Sequence, residues 1–307
     1  MQVYFFKRLL RFFPMTWLIA SLVFLSLHLV PGDPVDILLG ESASPVQREA
    51  LRASLELDRP LTQQYLNYWK NLLQGNLGNS LIHKKPVAKL IAERIFSTVQ
   101  LALITLALSL LVAIPMGCYC AFTKNKILEK IILFASILGV SLPTFWLGPI
   151  LILIFSVTLG WLPVSEKGSW NSFVLPTITL SVGMTAVLVR MVWANVTEIL
   201  HEEYIRTAYS KGLSSRRVLF KHALKNALIP VVSLLGIQMG SLLTGAVVTE
   251  TIFDWPGIGE FAYRAIQARD FPVVQGCVLV IAVTYLSLNL VTDLLYYFID
   301  PRVQLDS

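Results

Sequence analysis

Long apolar runs alternate with short polar stretches along this chain, and the length of the runs is informative. A helix needs about 20 predominantly apolar residues to cross the hydrocarbon core of a bilayer. Six segments meet that requirement: Leu9 to Val30, Thr98 to Phe122, Ile131 to Leu159, Phe173 to Ala194, Ala227 to Val248 and Val273 to Ile299. The predicted fold class is an all-α polytopic membrane protein with six transmembrane helices in a single domain over 1–307. Pro115, Pro143 and Pro149 fall inside runs. A membrane bundle tolerates proline where neighbouring helices satisfy the freed carbonyl, so these positions predict bends. The first run follows Lys7, Arg8 and Arg11. Its apolar stretch exceeds that of a signal peptide and no small-x-small site follows, so it reads as a retained span.

The polar stretches carry structure of their own. The longest, 31–97, is an expected extracytoplasmic loop. In it Ser44 and Pro45 form a cap and first helical residue, and a short helix through Leu51, Leu55 and Leu57 is expected to end before Pro60. A second helix is predicted over "LTQQYLNYWKNLLQG", with Gly75 as its stop. Tyr65, Tyr68 and Trp69 would place it near the headgroups.

Composition agrees with a membrane setting. Of 307 residues, 55% are hydrophobic and only 14% charged, against about 25% charged in a soluble domain. Mean hydropathy is +0.66. The net charge of +6 could fit nucleic acid, but the cations lie between apolar spans and not on a polar domain. They read instead as a topological signal. Lys7, Arg8 and Arg11 precede the first span, and Lys124, Lys126 and Lys130 separate spans two and three. Arg206, Lys211, Arg216, Arg217, Lys221 and Lys225 separate spans four and five. The short loops on the other face offer only Lys167, Arg264 and Arg269. Cations in short loops mark the cytoplasmic side, so both termini are expected there. Cys118, Cys120 and Cys277 all lie in apolar runs and read as small buried hydrophobes. The four histidines are scattered singly and form no metal-binding spacing.

The loop 201–226 has a helical pattern. Glu203 to Lys211 can form a short helix with acids at its N-terminal end. Gly212 suits the left-handed residue that ends it. Ser214 or Ser215 then caps a second helix, running through Val218, Leu219, Ala223 and Leu224 into span five. Ala208 and Gly212, four apart, would share one face and leave a shallow strip open to another protein. Three readings of this elbow stay open on the residues alone: a loop that only fixes topology, a basic helix on anionic lipid, or a dock for a soluble partner.

"RTAYSKG" followed at a distance by "HALKNALIP" resembles the cytoplasmic EAA-type loop of ABC importer permeases, in the branch that carries peptides and nickel. Arg206 and Thr207 stand where that loop has its leading Glu and Ala, so no role for that Glu carries over. Ala208, Gly212 and Pro230 match. "LVPGDP", "GVSLPTFWLG", "GWLP", "ETIFDWPGIG" and "DLLYYFIDPR" resemble the same family, in family order along the whole chain.

The resemblance implies a type I ABC importer permease fold in the bacterial inner (cytoplasmic) membrane. Its implied partners are a second related permease, two ATP-binding cassette subunits, an extracytoplasmic substrate-binding protein and membrane lipids, with no nucleic acid. Glu203, Tyr204, Arg206, Thr207, Ala208, Lys211, Gly212 and Leu213 would form the coupling helix, seated in a groove of an ATPase. The implied cargo is a di- or oligopeptide, with nickel, a nickel chelate or glutathione as the alternative.

The residues themselves bear on part of this. The dipeptide Gly-Lys never occurs, so the chain lacks a phosphate-binding P-loop. It is expected to be no enzyme and to bind no cofactor, with ATP and Mg on the partner subunits. Ionisable groups within spans are expensive. Arg190 and Asp293 could face the bundle interior and pair, one could pair with a partner permease, or Arg190 could snorkel to the headgroups. Gln238, Glu250 and Asn289 are candidates for a pathway or gate, although helix–helix hydrogen bonding explains Gln238 equally well. "ETIFDWPGIG" reads either as an interfacial turn with an aromatic anchor or as an element of an outer gate. A secondary transporter would more often show inverted repeats and carboxylates at mid-depth, and this sequence shows neither clearly, its acids clustering near span ends; a membrane scaffold or sensor is the remaining class.

Overall fold

The computed structural model describes residues 2–29, 35, 44–54, 57–165 and 169–299. Among them every regular element is helical, apart from one isolated bridge between Asn79 and Pro86. The helices are α1 (Gln2–Leu29), α2 (Pro45–Ser54), α3 (Leu61–Leu73), α4 (Val87–Phe122), α5 (Lys126–Ser141) and α6 (Thr144–Leu151). Then come α7 (Val174–Ile199), α8 (Glu203–Ser210), α9 (Ser215–Val218), α10 (Leu224–Ile252), α11 (Ile258–Gln267) and α12 (Phe271–Ile299). A π-helical stretch, Ile152–Thr158, prolongs α6, and a second, Leu219–Ala223, joins α9 to α10. Most of "LVPGDP" and the last residues of "DLLYYFIDPR" lie outside the described residues.

Among the described residues four helical stretches are long and apolar enough to cross a membrane: Val87–Phe122, Trp170–Ile199, Ser215–Leu243 and Phe271–Thr292. A fifth arises if α5 and α6 with its π extension count as one span, bent by 101°. The apolar stretch found in α1 is shorter, Leu10–Leu25. The bend expected at Pro143 within the run 131–159 is present, as a break between α5 and α6. Proline disfavours helical backbone in the residue before it, and Leu142 is extended at φ −80 and ψ 114. Pro143, also extended, then caps α6. Pro115, by contrast, is accommodated within an uninterrupted α4.

The boundary expected at Thr98 marks the start of the apolar stretch and not of the helix. α4 begins at Val87, inside the expected loop, because Val87, Leu90 and Ile91 give its polar first turns a buried face. That face packs on Ile258, Phe261 and Ala265 of α11 and on Val273 and Cys277 of α12. The two loop helices form as their caps dictate. The backbone N–H of Gln47 donates to Ser44 Oγ at 3.3 Å, and Ser44 N–H donates back to Gln47 Oε1 at 3.1 Å, a capping box. α3 lies on α1, where the rings of Tyr65 and Tyr68 meet Phe24 and the hydroxyls of Tyr65 and Ser21 are 2.7 Å apart.

α7 is the hub of the bundle, packing on α4, α5, α6 and α10. Met184, Leu188, Val189, Val192 and Val196 bury one side of it against Ala102, Ala113 and Cys118 of α4 and Ala227, Val231 and Leu242 of α10. Lipid chains are as apolar as these side chains, so membrane helices associate through close packing, which small residues permit. Gly117 is such a contact. A Cβ there would lie 2.7 Å from Val192 Cβ and 2.9 Å from the carbonyl oxygen of Val189. Gly117→Ala should therefore force α4 and α7 apart and destabilise the chain by about 1–3 kcal/mol. A lowered thermal midpoint in detergent, with no matching loss for Gly183→Ala, where an added Cβ would meet nothing closer than 3.8 Å, would show it.

Candidate functional site

The elbow after α7 has the expected form. Its first helix is α8, and Lys211 closes it. Gly212 follows at φ +80, a conformation costly for any residue with a Cβ. Gly212 N–H donates to the Tyr209 carbonyl at 2.9 Å, and Leu213 N–H donates to the Ala208 carbonyl at 3.3 Å. These two bonds are the Schellman pair, and Leu213 packs beside Ala208 as that motif requires. α9 starts at Ser215, and the helix runs on without a break through the π stretch into α10.

What ties the elbow to the bundle is a small core of its own. Ile205, Ala208, Val218 and Ala223 are buried together, with Ile199, Leu200, Leu213 and Leu219 against them. Polar links add direction. Asn226 Nδ2 donates to the Tyr204 hydroxyl at 3.0 Å, joining α8 to α10. Asn195 Nδ2 donates to the Ala227 carbonyl at 3.1 Å, joining α7 to α10 at the same level. α8 is thus fixed to the end of one long helix and the start of another.

The strip expected along Ala208 and Gly212 is corrected. Ala208 is buried, because its small side chain lets α8 settle on the α9 segment. The surface that α8 presents outward consists of Glu203, Tyr204, Arg206, Thr207, Tyr209 and Ser210, followed by Lys211 and Gly212. Arg206 pairs with Glu203 at 3.0 Å in the open, where such i,i+3 pairs contribute about 0.2–0.5 kcal/mol. Leu213 is half-buried.

The remaining candidates disperse. Glu250 is fully buried at the far end of the bundle. Its carboxylate accepts from Thr98 Oγ1 at 2.5 Å, Gly259 N–H at 2.8 Å and Glu260 N–H at 3.1 Å. It caps α11 and is not open to a pathway, which corrects that expectation. The rest of "ETIFDWPGIG" completes the same knot. Ile258 N–H donates to Thr98 Oγ1 at 2.9 Å, Trp255 Nε1 donates to the Ser97 carbonyl at 3.2 Å, and the Trp255 ring meets Phe173 edge-on at 4.5 Å. Beside it, Arg94 lies over the Phe261 ring at 4.0 Å and faces Glu260 at 3.7 Å, and Arg264 pairs with Asp254 at 2.5 Å.

Gln238 and Asn289, both half-buried, are not brought together. Gly236 and Gly240 of α10 sit against Thr292 and Tyr285 of α12. Asn289 falls between those two contacts on α12, whereas Gln238 falls on the opposite side of α10, in the stripe of Val231 and Leu242 that packs on α7. Arg190 is exposed and does not turn into the bundle of this chain, which corrects the interior reading. The side chain of Asp293 lies outside the described residues, and the expected pair with it. Among the described residues no cluster of His, Cys, Asp or Glu could hold a metal, and the three cysteines are free and buried.

Several of these features had no clear signal in the sequence. Asn195 and Asn226 are single amides among apolar residues, and only the fold shows what they join. Gly236 and Gly240 did carry a signal, the small-xxx-small spacing of a close helix contact.

Comparison with known proteins agrees with this architecture. Residues 113–305 match the family described as "Binding-protein-dependent transport system inner membrane component". Residues 1–102 match the N-terminal region described for the same type of membrane component. The chain is 38% identical over 301 residues to the glutathione transport system permease protein GsiC of Escherichia coli strain K12, covering 98% of each. It is 39% identical, over the same length and coverage, to GsiC of Pectobacterium atrosepticum. Among solved structures it is similar in fold to a chain of the inward-facing MetNI methionine ABC transporter. The TM-score is 0.56 at 17% identity, over 69% of this chain and 96% of that one.

Proposed function

The chain belongs to the family of binding-protein-dependent transport system inner membrane components, and from that premise we propose that it is one of two permease subunits of an ATP-driven glutathione importer. The family is one of bacterial ABC importer permeases and not of enzymes, and its members are multi-pass proteins of the inner membrane. In the proposed assembly six spans cross the membrane, α1 being the first and the broken α5–α6 pair the third. The α8 end faces the cytoplasm, as the distribution of lysine and arginine requires.

The observation that carries the mechanism is the anchoring of α8. It is fixed to α7 through Ile199 and Leu200 and to α10 through Asn226, while its outer surface stays open. We assign α8 and its turn as the coupling helix. An ATPase pair that closes on nucleotide would move this elbow, and α7 and α10 would move with it as rigid bodies, exposing the pathway alternately to each face. The chain supplies no nucleotide-binding loop of its own, so ATP and Mg belong to the partner subunits.

The exposed line along α7 supports a second permease. α7 is the most deeply packed of the spans, yet Arg190, Ala194 and Glu198 stay open along one face. An arginine at that depth needs a partner, water or a headgroup, and a paired permease or a shared pathway supplies the first two.

Glutathione takes precedence over the general di- or oligopeptides expected first, because the full-length relatives are glutathione permeases. Glutathione is itself a small peptide, so the branch resemblance is kept. The test is uptake into proteoliposomes holding both permeases, both ATPases and the binding protein. Glutathione should accumulate only with ATP inside the compartment of the ATPases, with no effect of collapsing ion gradients. Accumulation of dipeptides or nickel in preference would move the substrate, and dependence on an ion gradient would overturn the importer reading.

A further inference from the structure

The segment between the elbow and span five has a surface that lies outside the assigned coupling helix. Arg216, Arg217, Lys221 and Lys225 are all exposed, and so is Phe220, at 61% of its surface. No acidic residue occurs between Tyr204 and Thr249. Behind this surface Val218, Ala223 and Ala227 are fully buried. The spacing of the buried set is five residues and then four. An α-helix would turn Ala223 off the face of Val218. The π stretch at Leu219–Ala223 inserts the extra residue that keeps them aligned. The same insertion aligns Arg216 with Lys221 and Phe220 with Lys225, so the cations and the ring are gathered on the outer side.

Height in the membrane follows from length. The apolar part of the helix, Ala227 to Val248, spans about 33 Å, which fills the hydrocarbon core. Lys225 then lies within about one turn of the hydrocarbon edge, Lys221 within about two and the arginine pair within about three. A basic surface at headgroup height with one exposed aromatic ring has the chemistry of an interfacial contact.

We propose that Arg216, Arg217, Lys221 and Lys225, with the Phe220 ring lying among them at the interface, bind the anionic phospholipid headgroups of the inner leaflet and hold the root of span five at a fixed depth. The cytoplasmic placement of the α8 end is assumed; transport of any particular cargo is not. Charge complementarity selects the occupant. Each cation near a negatively charged membrane surface contributes roughly fivefold in affinity, a zwitterionic surface offers no such gain, and the segment carries no acid to compete.

The test uses the assembled importer in nanodiscs of phosphatidylcholine mixed with phosphatidylglycerol, released gently and weighed by native mass spectrometry. The wild-type assembly should retain phosphatidylglycerol in preference to phosphatidylcholine. Neutralising all four cations to glutamine should lower that retention at least about tenfold. Neutralising Lys124, Lys126 and Lys130, at the same end of the bundle, should lower it far less. If the fourfold variant fails to assemble, the paired variants R216Q/R217Q and K221Q/K225Q should each lower retention several-fold. Equal retention by wild type and variant, or an equal loss from the lysine control, would overturn the proposal. Loss of the ATPase subunits with retention unchanged would do so as well, by making this a protein-docking surface.

Discussion

Gly212→Arg is expected to reduce uptake by the assembled importer by at least about tenfold while leaving the chain folded, and Gly212→Ala should leave most of it intact. The two substitutions share one cost and differ in another. Both place a Cβ on a residue at φ +80, which costs about 1–2 kcal/mol. The added Cβ meets no clash within the chain, since it has nothing within 4 Å. Alanine therefore adds backbone strain only, and the Schellman bonds of Gly212 and Leu213 remain available. Arginine adds a long charged side chain to the surface that α8 turns outward, where the proposed ATPase groove must close. A mismatch of 1.4 kcal/mol at that contact is already tenfold in affinity. Uptake and co-purified ATPase should fall together for arginine and hardly at all for alanine. Equal losses would assign the effect to strain, and no loss in either would show that the turn is not where force enters.

The elbow was legible in the sequence because it is built from local rules. A glycine that ends a helix and two runs of helix formers act over a few residues, and they give the observed turn; Ser214 stands at the start of the second helix, but its side chain makes no capping bond there. The orientation of Ala208 was not legible for the complementary reason. Its side chain could face a partner or its own bundle, and only the burial of Ile205, Val218 and Ala223 around it decides. Small residues serve both purposes, so smallness alone selects neither.

The same division runs through the spans. Apolar length located the helices, but helix ends follow hydrogen bonding and buried faces as well as hydropathy. α4 therefore starts at Val87, ahead of its apolar run. Proline was a weak guide because its effect depends on its neighbours: α4 absorbs Pro115, while Leu142 and Pro143 break the third run by 101°. Arg190 shows the limit from another side. Its charge marked it as unusual, but the direction it faces depends on how α7 packs against four other helices.

Glu250→Ala is expected to destabilise the chain by about 3–5 kcal/mol, close to the whole margin of an ordinary domain. Three buried donors lose their acceptor at once: the Thr98 hydroxyl and the N–H groups of Gly259 and Glu260. Each unsatisfied donor costs about 1–3 kcal/mol, and Glu250 is itself fully buried. The cap of α11 fails with it, and α11 carries Ile258, Phe261 and Ala265 of the core at that end. Glu250→Gln keeps the shape but turns one of two acceptors into a donor facing donors, so an intermediate loss is expected. Thermal unfolding in detergent and amide exchange of 258–267 provide the check, the exchange rising first if the cap is the cause. A pathway residue would behave otherwise. Its glutamine variant would keep the melting temperature and alter uptake alone, and that result would return Glu250 to the gate.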